Sequence, residues 1–321
     1  MTDPDIAVLR GNVHGLPIEQ YAEELRERLP GKEIALARTP GEERDLLARA
    51  PIATGLRLPT SALEDAPNLQ MFGCVFAGTG HLPMEDLAAH DVAVTNAAGV
   101  HGPNIGEHVL GAILSFVRGF HLAWRRKERR EWRSFQAHEL EGSTVSVFGL
   151  GALGEAIVER LEPFGVETLG VRYTPEKGGP TDEVHGLEDD EAVYDVLARS
   201  DYVVVAAPLT DATRGLIDEE AFRTMKPSAV LVNVGRGPIV ETDALLSALR
   251  GNAIRGAALD VTDPEPLPED HPLWGFDNVL ITPHNAGHTP KYWERRADIL
   301  AENVRRIDET GDYGTLRNRA V

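Results

Sequence analysis

Thr144-Val-Ser-Val-Phe-Gly149-Leu150-Gly151-Ala152-Leu153-Gly154 runs a β-prone segment directly into GxGxxG and then into a helical stretch. In such a turn Gly149 permits the tight reversal, Gly151 lets backbone N–H groups approach a pyrophosphate, and Gly154 lets helix pack on strand. A glycine-rich turn without a ligand is the bland alternative. The strand before the motif, the helix after it and a further strand at Glu167 to Val171 argue for dinucleotide binding by residues 149–154. Where that next strand ends, an acid would accept hydrogen bonds from the ribose hydroxyls of NAD. The sequence has Arg172-Tyr173-Thr174 instead. A guanidinium pairs with a 2′-phosphate that an acid would repel, so NADPH/NADP+ is the expected cofactor, with NADH/NAD+ possible if Arg172 merely points to solvent.

Outward from the motif, apolar runs at Tyr202 to Ala206, Val230 to Val234, Gly256 to Asp260 and Val279 to Thr282 alternate with helical stretches. Strand and helix in strict alternation predict a parallel sheet covered on both faces. The N-terminal part shows the same alternation: Ile6 to Leu9, Pro17 to Leu29, Ile34 to Ala37, Glu42 to Ala50, Leu69 to Ala77 and Asp91 to Thr95. Helical periodicity follows over Asn104 to Arg118, and a last helix is expected over roughly Pro290 to Asp308. The predicted fold class is α/β: two doubly wound parallel-sheet domains of Rossmann or flavodoxin type with a cleft between them. Residues 1–98 plus 287–321 are expected to form a substrate domain and residues 99–286 the NAD(P)-binding domain.

Three segments each end a strand of the second series. They are Asn233-Val234-Gly235-Arg236-Gly237-Pro238, Asp260-Val-Thr-Asp263-Pro264-Glu265-Pro266 and Thr282-Pro-His284-Asn285-Ala286-Gly287. Open parallel sheets gather ligand chemistry at the carboxyl ends of their strands, so these loops are expected to converge. Reduction of a 2-oxoacid needs a hydride at the carbonyl carbon, a proton at its oxygen and a cation for the carboxylate. Histidine carries a proton near neutral pH, a carboxylate on its other ring nitrogen fixes its tautomer, and arginine grips an acid. His284, Glu265 and Arg236 fit those three roles.

With these motifs the chain resembles the D-specific 2-hydroxyacid dehydrogenase family, which includes formate, phosphoglycerate, lactate and glyoxylate/hydroxypyruvate members. Arg236 stands in N-x-x-R-G, Glu265 in D-x-x-x-x-E-P and His284 in P-H-x-x-G. The resemblance implies that Arg236, Glu265 and His284 are catalytic and that Asp260 holds the nicotinamide carboxamide. It implies that Ala206, Ala207, Pro208 and Thr213 line the cofactor cleft, with Val234, Gly235 and Ala286 beside it. Ala77 and Gly78 would offer N–H groups to the substrate carboxylate, with Val100 next to the substrate. It further implies a homodimer reached through Ala123 to Gly142, including Trp124 and Trp132. The family's dinucleotide-sensing corepressors make a binding protein the alternative to an enzyme, and a glyoxylate/hydroxypyruvate reductase using NADH is another. Formate oxidation is disfavoured by Arg172, and a phosphoglycerate dehydrogenase with a regulatory module by the end of the chain at Val321. Gly80 and His81 replace the acid usual after the carboxylate loop. His101 stands where serine or asparagine is common, either touching the substrate or lying at the cleft edge without a role.

Some patterns point away from chemistry. His284 and His288 are four residues apart, but Pro283, Gly287 and Pro290 argue against one helix presenting both rings, so no metal site is expected. Cys74 is the only cysteine and reads as a packed small hydrophobe. The 321 residues carry 51 acids against 32 bases, a net charge of −19, with lysine reduced to Lys32, Lys127, Lys177, Lys226 and Lys291. Self-repulsion of that size is screened by concentrated salt, which suggests a halophilic, haloarchaeal cytoplasm; a GC-rich genome favouring arginine is the alternative. A polyanion would be repelled, so no nucleic-acid partner is expected, and the short basic run Arg125 to Arg133 reads as a solvated helix face or an interface arm. No apolar run spans a bilayer and the N-terminus carries acids, so a cytoplasmic enzyme of a small-molecule 2-oxoacid, with no membrane partner, is expected.

Overall fold

The structure, a computed structural model, describes residues 3–320. Along the chain its elements begin with β1 (Ile6–Val8), α1 (Ile18–Arg28), β2 (Ile34–Leu36), α2 (Pro40–Leu47), β3 (Ile52–Gly55), α3 (Thr60–Leu63), β4 (Met71–Cys74), α4 (Met84–Ala89) and β5 (Ala93–Thr95). They continue with α5 (Gly102–Val117), α6 (Phe120–Glu128), β6 (Thr144–Phe148), α7 (Ala152–Leu161), β7 (Glu167–Arg172), β8 (Glu183–Gly186), α8 (Asp190–Arg199) and β9 (Tyr202–Val205). The last are α9 (Glu219–Thr224), β10 (Val230–Asn233), α10 (Thr242–Arg250), β11 (Gly256–Leu259), β12 (Val279–Ile281) and α11 (Tyr292–Thr310).

The chain divides into two compact units, the first holding residues up to Val100 and from His288 onward, the second His101–Gly287. In the first unit five parallel strands are ordered β2-β1-β3-β4-β5, the flavodoxin-like arrangement. The chain returns to this unit because α11 packs on α1, where the rings of Tyr21 and Trp293 stack with centroids 4.8 Å apart. Tyr292, Trp293, Ala297 and Leu300 form the buried stripe of α11, at the three- and four-residue spacing of a helix face.

The second unit has seven parallel strands in the order β12-β11-β10-β9-β6-β7-β8. Val-Val-Val in β9 and Val-Leu-Val in β10 are buried on both faces, as strands sandwiched between helices must be. Helix starts are fixed locally: Asp189 and Asp218 accept from the N–H groups of Ala192 and Ala221 at the heads of α8 and α9.

Most expected elements are present with boundaries moved by a few residues. The segment read as a strand over Leu69 to Ala77 is paired only from Met71 to Cys74, and residues after Val75 turn out of the sheet. β3 and β8 were not foreseen. Their sequences, Ile-Ala-Thr-Gly and Glu-Val-His-Gly, carry little of the apolar signal that marks a strand.

Candidate functional site

In the second sheet the chain passes from β6 to β7 and β8 on one side and then returns to β9 on the other, so β6 and β9 flank the switch point where open sheets bind ligands. The GxGxxG loop sits there. Gly149 has φ +104°, and a Cβ on it would come within 2.6 Å of the Ala207 backbone. A Cβ at Gly154 would lie 2.0 Å from the carbonyl oxygen of Gly149. Those two glycines are demanded by the fold. Gly151 is not: its φ is −98° and a Cβ there would meet nothing within 4 Å. It opens α7 with no side-chain cap, so the first N–H groups of a ten-residue helix face outward from an exposed glycine. This cradle fits a pyrophosphate, which needs close backbone approach and unclaimed donors. Leu150 is buried against Gly170 and Gly179 and can serve a ligand only through its backbone, whereas Ala152 is exposed and Leu153 half-buried.

Arg172 is the last residue of β7. Its Nη1 donates to the carbonyl of Gly178 at 2.5 Å, so the guanidinium is held by the loop that follows. Tyr173 is 64% exposed beside it, Thr174 is half-buried, and Lys177 on the same loop is exposed. A tethered cation next to an open aromatic face suits a phosphate and an adenine ring. Lys177 was not singled out in the sequence, and only its position on this loop reveals it.

On the other side of the switch point, Ala206 and Ala207 are buried at the exit of β9. Thr213 is buried as well. Its Oγ1 donates to the Pro208 carbonyl at 2.7 Å and accepts from the Thr210 N–H at 2.8 Å, which closes the 208–213 loop on itself.

β10, β11 and β12 are consecutive neighbours, so the three expected loops leave the same edge of the sheet side by side. Asn233 organises the first: its Oδ1 accepts from the Gly235 N–H at 3.0 Å and its Nδ2 donates to the Arg236 carbonyl at 3.2 Å. Val234 and Gly235 are buried, while Arg236 is exposed with Nη1 on the Gly235 carbonyl at 2.7 Å. The next loop lies directly against this one, since a Cβ at Gly237 would fall 1.9 Å from the Thr262 carbonyl oxygen.

The third loop is stapled by Asp260. This carboxylate is 3% exposed; Oδ1 accepts from Thr282 Oγ1 at 2.6 Å and the Asn285 N–H at 2.8 Å, and Oδ2 accepts from the Ala286 N–H at 3.0 Å. His284 has φ +50°, a left-handed conformation unfavourable for a non-glycine residue, and its N–H donates to the Asp260 carbonyl at 2.8 Å. The ring is thereby turned outward. Its Nδ1 lies 2.9 Å from Glu265 Oε1, with about half of the histidine and 38% of the glutamate side chain exposed. A carboxylate on one ring nitrogen and solvent access at the other is the geometry of a proton-transfer histidine.

The remaining expected residues belong to the first unit. Ala77 and Gly78 are exposed just beyond β4, and no packing restricts the Cα of Gly78. Val100 has its side chain in the core of that unit, 1% exposed, and its carbonyl takes Arg295 Nη1 at 2.9 Å. Cys74 is buried, and burial pushes its thiol above the ordinary range, away from the reactive thiolate. His101 Nδ1 lies 2.7 Å from the Gly287 carbonyl, and Asn104 Nδ2 donates to the Ala286 carbonyl at 2.7 Å, so the head of α5 holds the end of the His284 loop. His288 lies against His14, with ring centroids 4.8 Å apart. Among the described residues no group of three or more His, Cys, Asp or Glu could hold a metal ion.

His108, not foreseen, lies one turn beyond Asn104 with Nε2 3.3 Å from Thr282 Oγ1 and 3.9 Å from Asp260 Oδ1. The signal available in the sequence was its i+4 spacing from Asn104 on the face of α5 that meets the loop.

A family model described as D-isomer specific 2-hydroxyacid dehydrogenase, NAD binding domain, matches residues 110–286, more than half of the chain. The chain belongs to the D-isomer specific 2-hydroxyacid dehydrogenase family. It is similar to the glyoxylate reductase of Thermofilum pendens, with 34% identity over 77% of this chain and 74% of that one. It is similar also to the human glyoxylate reductase/hydroxypyruvate reductase, with 32% identity over 74% of this chain and 73% of the relative. Among solved structures, a D-isomer specific 2-hydroxyacid dehydrogenase from Xanthobacter autotrophicus, in complex with NADPH and MES, superposes with a TM-score of 0.78. That pair has 30% identity and covers 99% of this chain and 98% of the other. Members of this D-2-hydroxyacid dehydrogenase family are NAD(P)-dependent oxidoreductases of the CH–OH group, which interconvert 2-oxoacids and 2-hydroxyacids, and this chain is one of them.

Proposed function

We propose that the protein reduces a 2-oxoacid to the D-2-hydroxyacid with NADPH in preference to NADH, with His284 as the proton donor. The observation that carries this reading is the 2.9 Å contact between His284 Nδ1 and Glu265 Oε1, on a loop held by Asp260. Bound NADPH supplies the hydride at the carbonyl carbon of the oxoacid. With Nδ1 engaged by Glu265, the His284 Nε2–H is the donor for the carbonyl oxygen, and the ring is reprotonated from solvent. Arg236 holds the oxoacid through its exposed guanidinium, and the N–H groups of Ala77 and Gly78 receive the substrate carboxylate. Asp260 has acceptor capacity left on Oδ2 for the nicotinamide carboxamide, and Ala206, Ala207, Pro208, Val234, Gly235 and Ala286 supply backbone and small side chains around the cofactor. Thr213 contributes by shaping the 208–213 loop rather than by direct contact.

The preference for NADPH rests on Arg172, Tyr173 and Lys177, which gather positive charge and an aromatic face at the end of β7 where NAD-specific sites place an acid. The NADPH complex of the Xanthobacter relative supports it. The test is the loss of NADPH or NADH absorbance with a panel of 2-oxoacids. Turnover with NADPH, and a smaller kcat/KM with NADH, is expected; tight NADPH binding without turnover on any oxoacid defeats the enzymatic reading.

The same proposal includes a homodimer in a salt-rich cytoplasm. Trp132 is fully exposed, Trp124 and Phe120 are about half exposed, and Arg126 lies over the Phe135 ring at 4.9 Å, all in the segment around α6. An exposed cluster of aromatic and arginine side chains has the composition of an interface core. The net charge of −19 supports salt adaptation. No helix among the described residues is long and apolar enough to cross a membrane. Light scattering across a range of KCl concentrations reads both points at once.

A further inference from the structure

His284 and Glu265 line a cavity of about 470 Å³ built wholly within the second unit. Asp260, Thr262 and Thr282 are its other polar residues, and the rest of the lining is hydrocarbon. Pro266 and Leu267 come from the loop after β11, Ile281 and Pro283 from the exit of β12, and Trp274 from the turn between those strands. The Trp274 Nε1–H donates to the Pro268 carbonyl at 2.9 Å, which satisfies its one polar atom and leaves carbon to face the cavity. The indole is half exposed. A cavity whose lining surface is mainly carbon, with a few polar groups to fix orientation, accepts a ligand that is largely apolar and carries one polar group. Glyoxylate or pyruvate would leave most of it to water against apolar walls.

We infer that the oxoacid reduced at this site carries a bulky apolar side chain, an extended or branched hydrocarbon or an aromatic ring, which lies against Trp274 and Leu267. This rests on the proposed role of His284 and adds to it the class of substrate. Val100 and His101, which the sequence places beside the substrate or at the cleft edge, are not among its walls. With the carbonyl oxygen at His284, the side chain passes along Pro266 toward Leu267 and Trp274. Each methylene transferred from water then favours binding by about 0.8 kcal/mol, or roughly fourfold.

The experiment is a series of straight-chain 2-oxoacids from glyoxylate through pyruvate to 2-oxohexanoate, with 4-methyl-2-oxopentanoate and phenylpyruvate, each assayed by NADPH oxidation. The expected result is a kcat/KM that rises about fourfold per methylene, expressed mainly in KM. Trp274→Ala and Leu267→Ala should each lower kcat/KM for 2-oxohexanoate about tenfold more than for pyruvate. If one variant fails to fold, the other carries the comparison. A series that is flat, or that is fastest with glyoxylate, overturns this inference while leaving oxoacid reduction standing. So does a chain-length dependence untouched in both variants, the result expected if a segment of a second copy fills the cavity. Failure of every oxoacid is a different outcome and defeats the proposed function instead.

Discussion

Tyr292 donates its phenolic proton to the main-chain carbonyl of Val75, tying the first turn of α11 to the exit of β4. One turn on, Arg296 Nε donates to the Cys74 carbonyl at 3.1 Å, so two successive carbonyls of the returning strand are held by one face of one helix. Burial raises the Tyr292 phenol beyond its ordinary range, which keeps it a donor throughout the accessible pH range. Ala77 and Gly78 follow immediately on the segment fixed in this way. Tyr292→Phe should leave the Val75 carbonyl buried and unpaired, a loss of about 1–3 kcal/mol by urea denaturation. The same variant should raise KM for the oxoacid while KM for NADPH stays constant. An unchanged oxoacid KM would confine the contact to stability.

Glu265→Gln should lower kcat by more than about tenfold with little change in NADPH affinity, because an amide holds the His284 ring without stabilising its protonated form. His284→Ala should remove about 10²–10⁴-fold of the rate, again with NADPH binding retained. Stopped-flow measurement of the hydride step together with cofactor titration checks both. Retained turnover in the alanine variant would assign the proton to another group.

Arg172→Asp should turn the ratio of kcat/KM values from NADPH toward NADH. It removes the cation and also frees the Gly178 carbonyl that now takes Nη1. Lys177→Ala, on the same loop but outside the strand, should produce a smaller shift in the same direction. If neither moves the ratio, the 2′-phosphate is read elsewhere.

His121 sets an acid limit on the stability of the second unit. Burial against Phe116, together with the charges of Arg255 and Arg125, lowers its pKa below the ordinary 6.5, more than offsetting its bond to the Ser115 carbonyl at 3.1 Å. The unfolded chain therefore binds the proton more readily than the folded one. Stability is complete above about pH 6.5 and falls as the pH drops toward the lowered value. In His121→Gln the decline in melting temperature between about pH 7 and pH 5 should be shallower than in the parent, as followed by calorimetry. Equal slopes would place the acid sensitivity in other groups.

The second sheet was legible because Val-Val-Val and Val-Leu-Val must be buried on both faces, and the nucleotide loop because Gly149 and Gly154 answer to contacts between adjacent segments. β8 escaped because a half-exposed edge strand, Glu-Val-His-Gly, needs no apolar run. At the site, residue types and order point to Arg236, Glu265 and His284 as the proposed catalytic set, but not to the directions in which other side chains turn. Thr213 bends back to its own loop, and His108 reaches Thr282 across 174 positions of sequence. Trp274 enters the cavity only because the turn before β12 folds beside the Glu265 loop. Local periodicity carries no information about contacts at such separations.

The missing side chain at Gly237 couples two loops mechanically. With the Thr262 carbonyl where a Cβ would stand, the Arg236 and Glu265 segments cannot be moved independently. Exchange of loops between relatives should therefore treat residues 233–238 and 260–266 as one part. A graft of either alone brings the arginine or the glutamate but not the spacing between them.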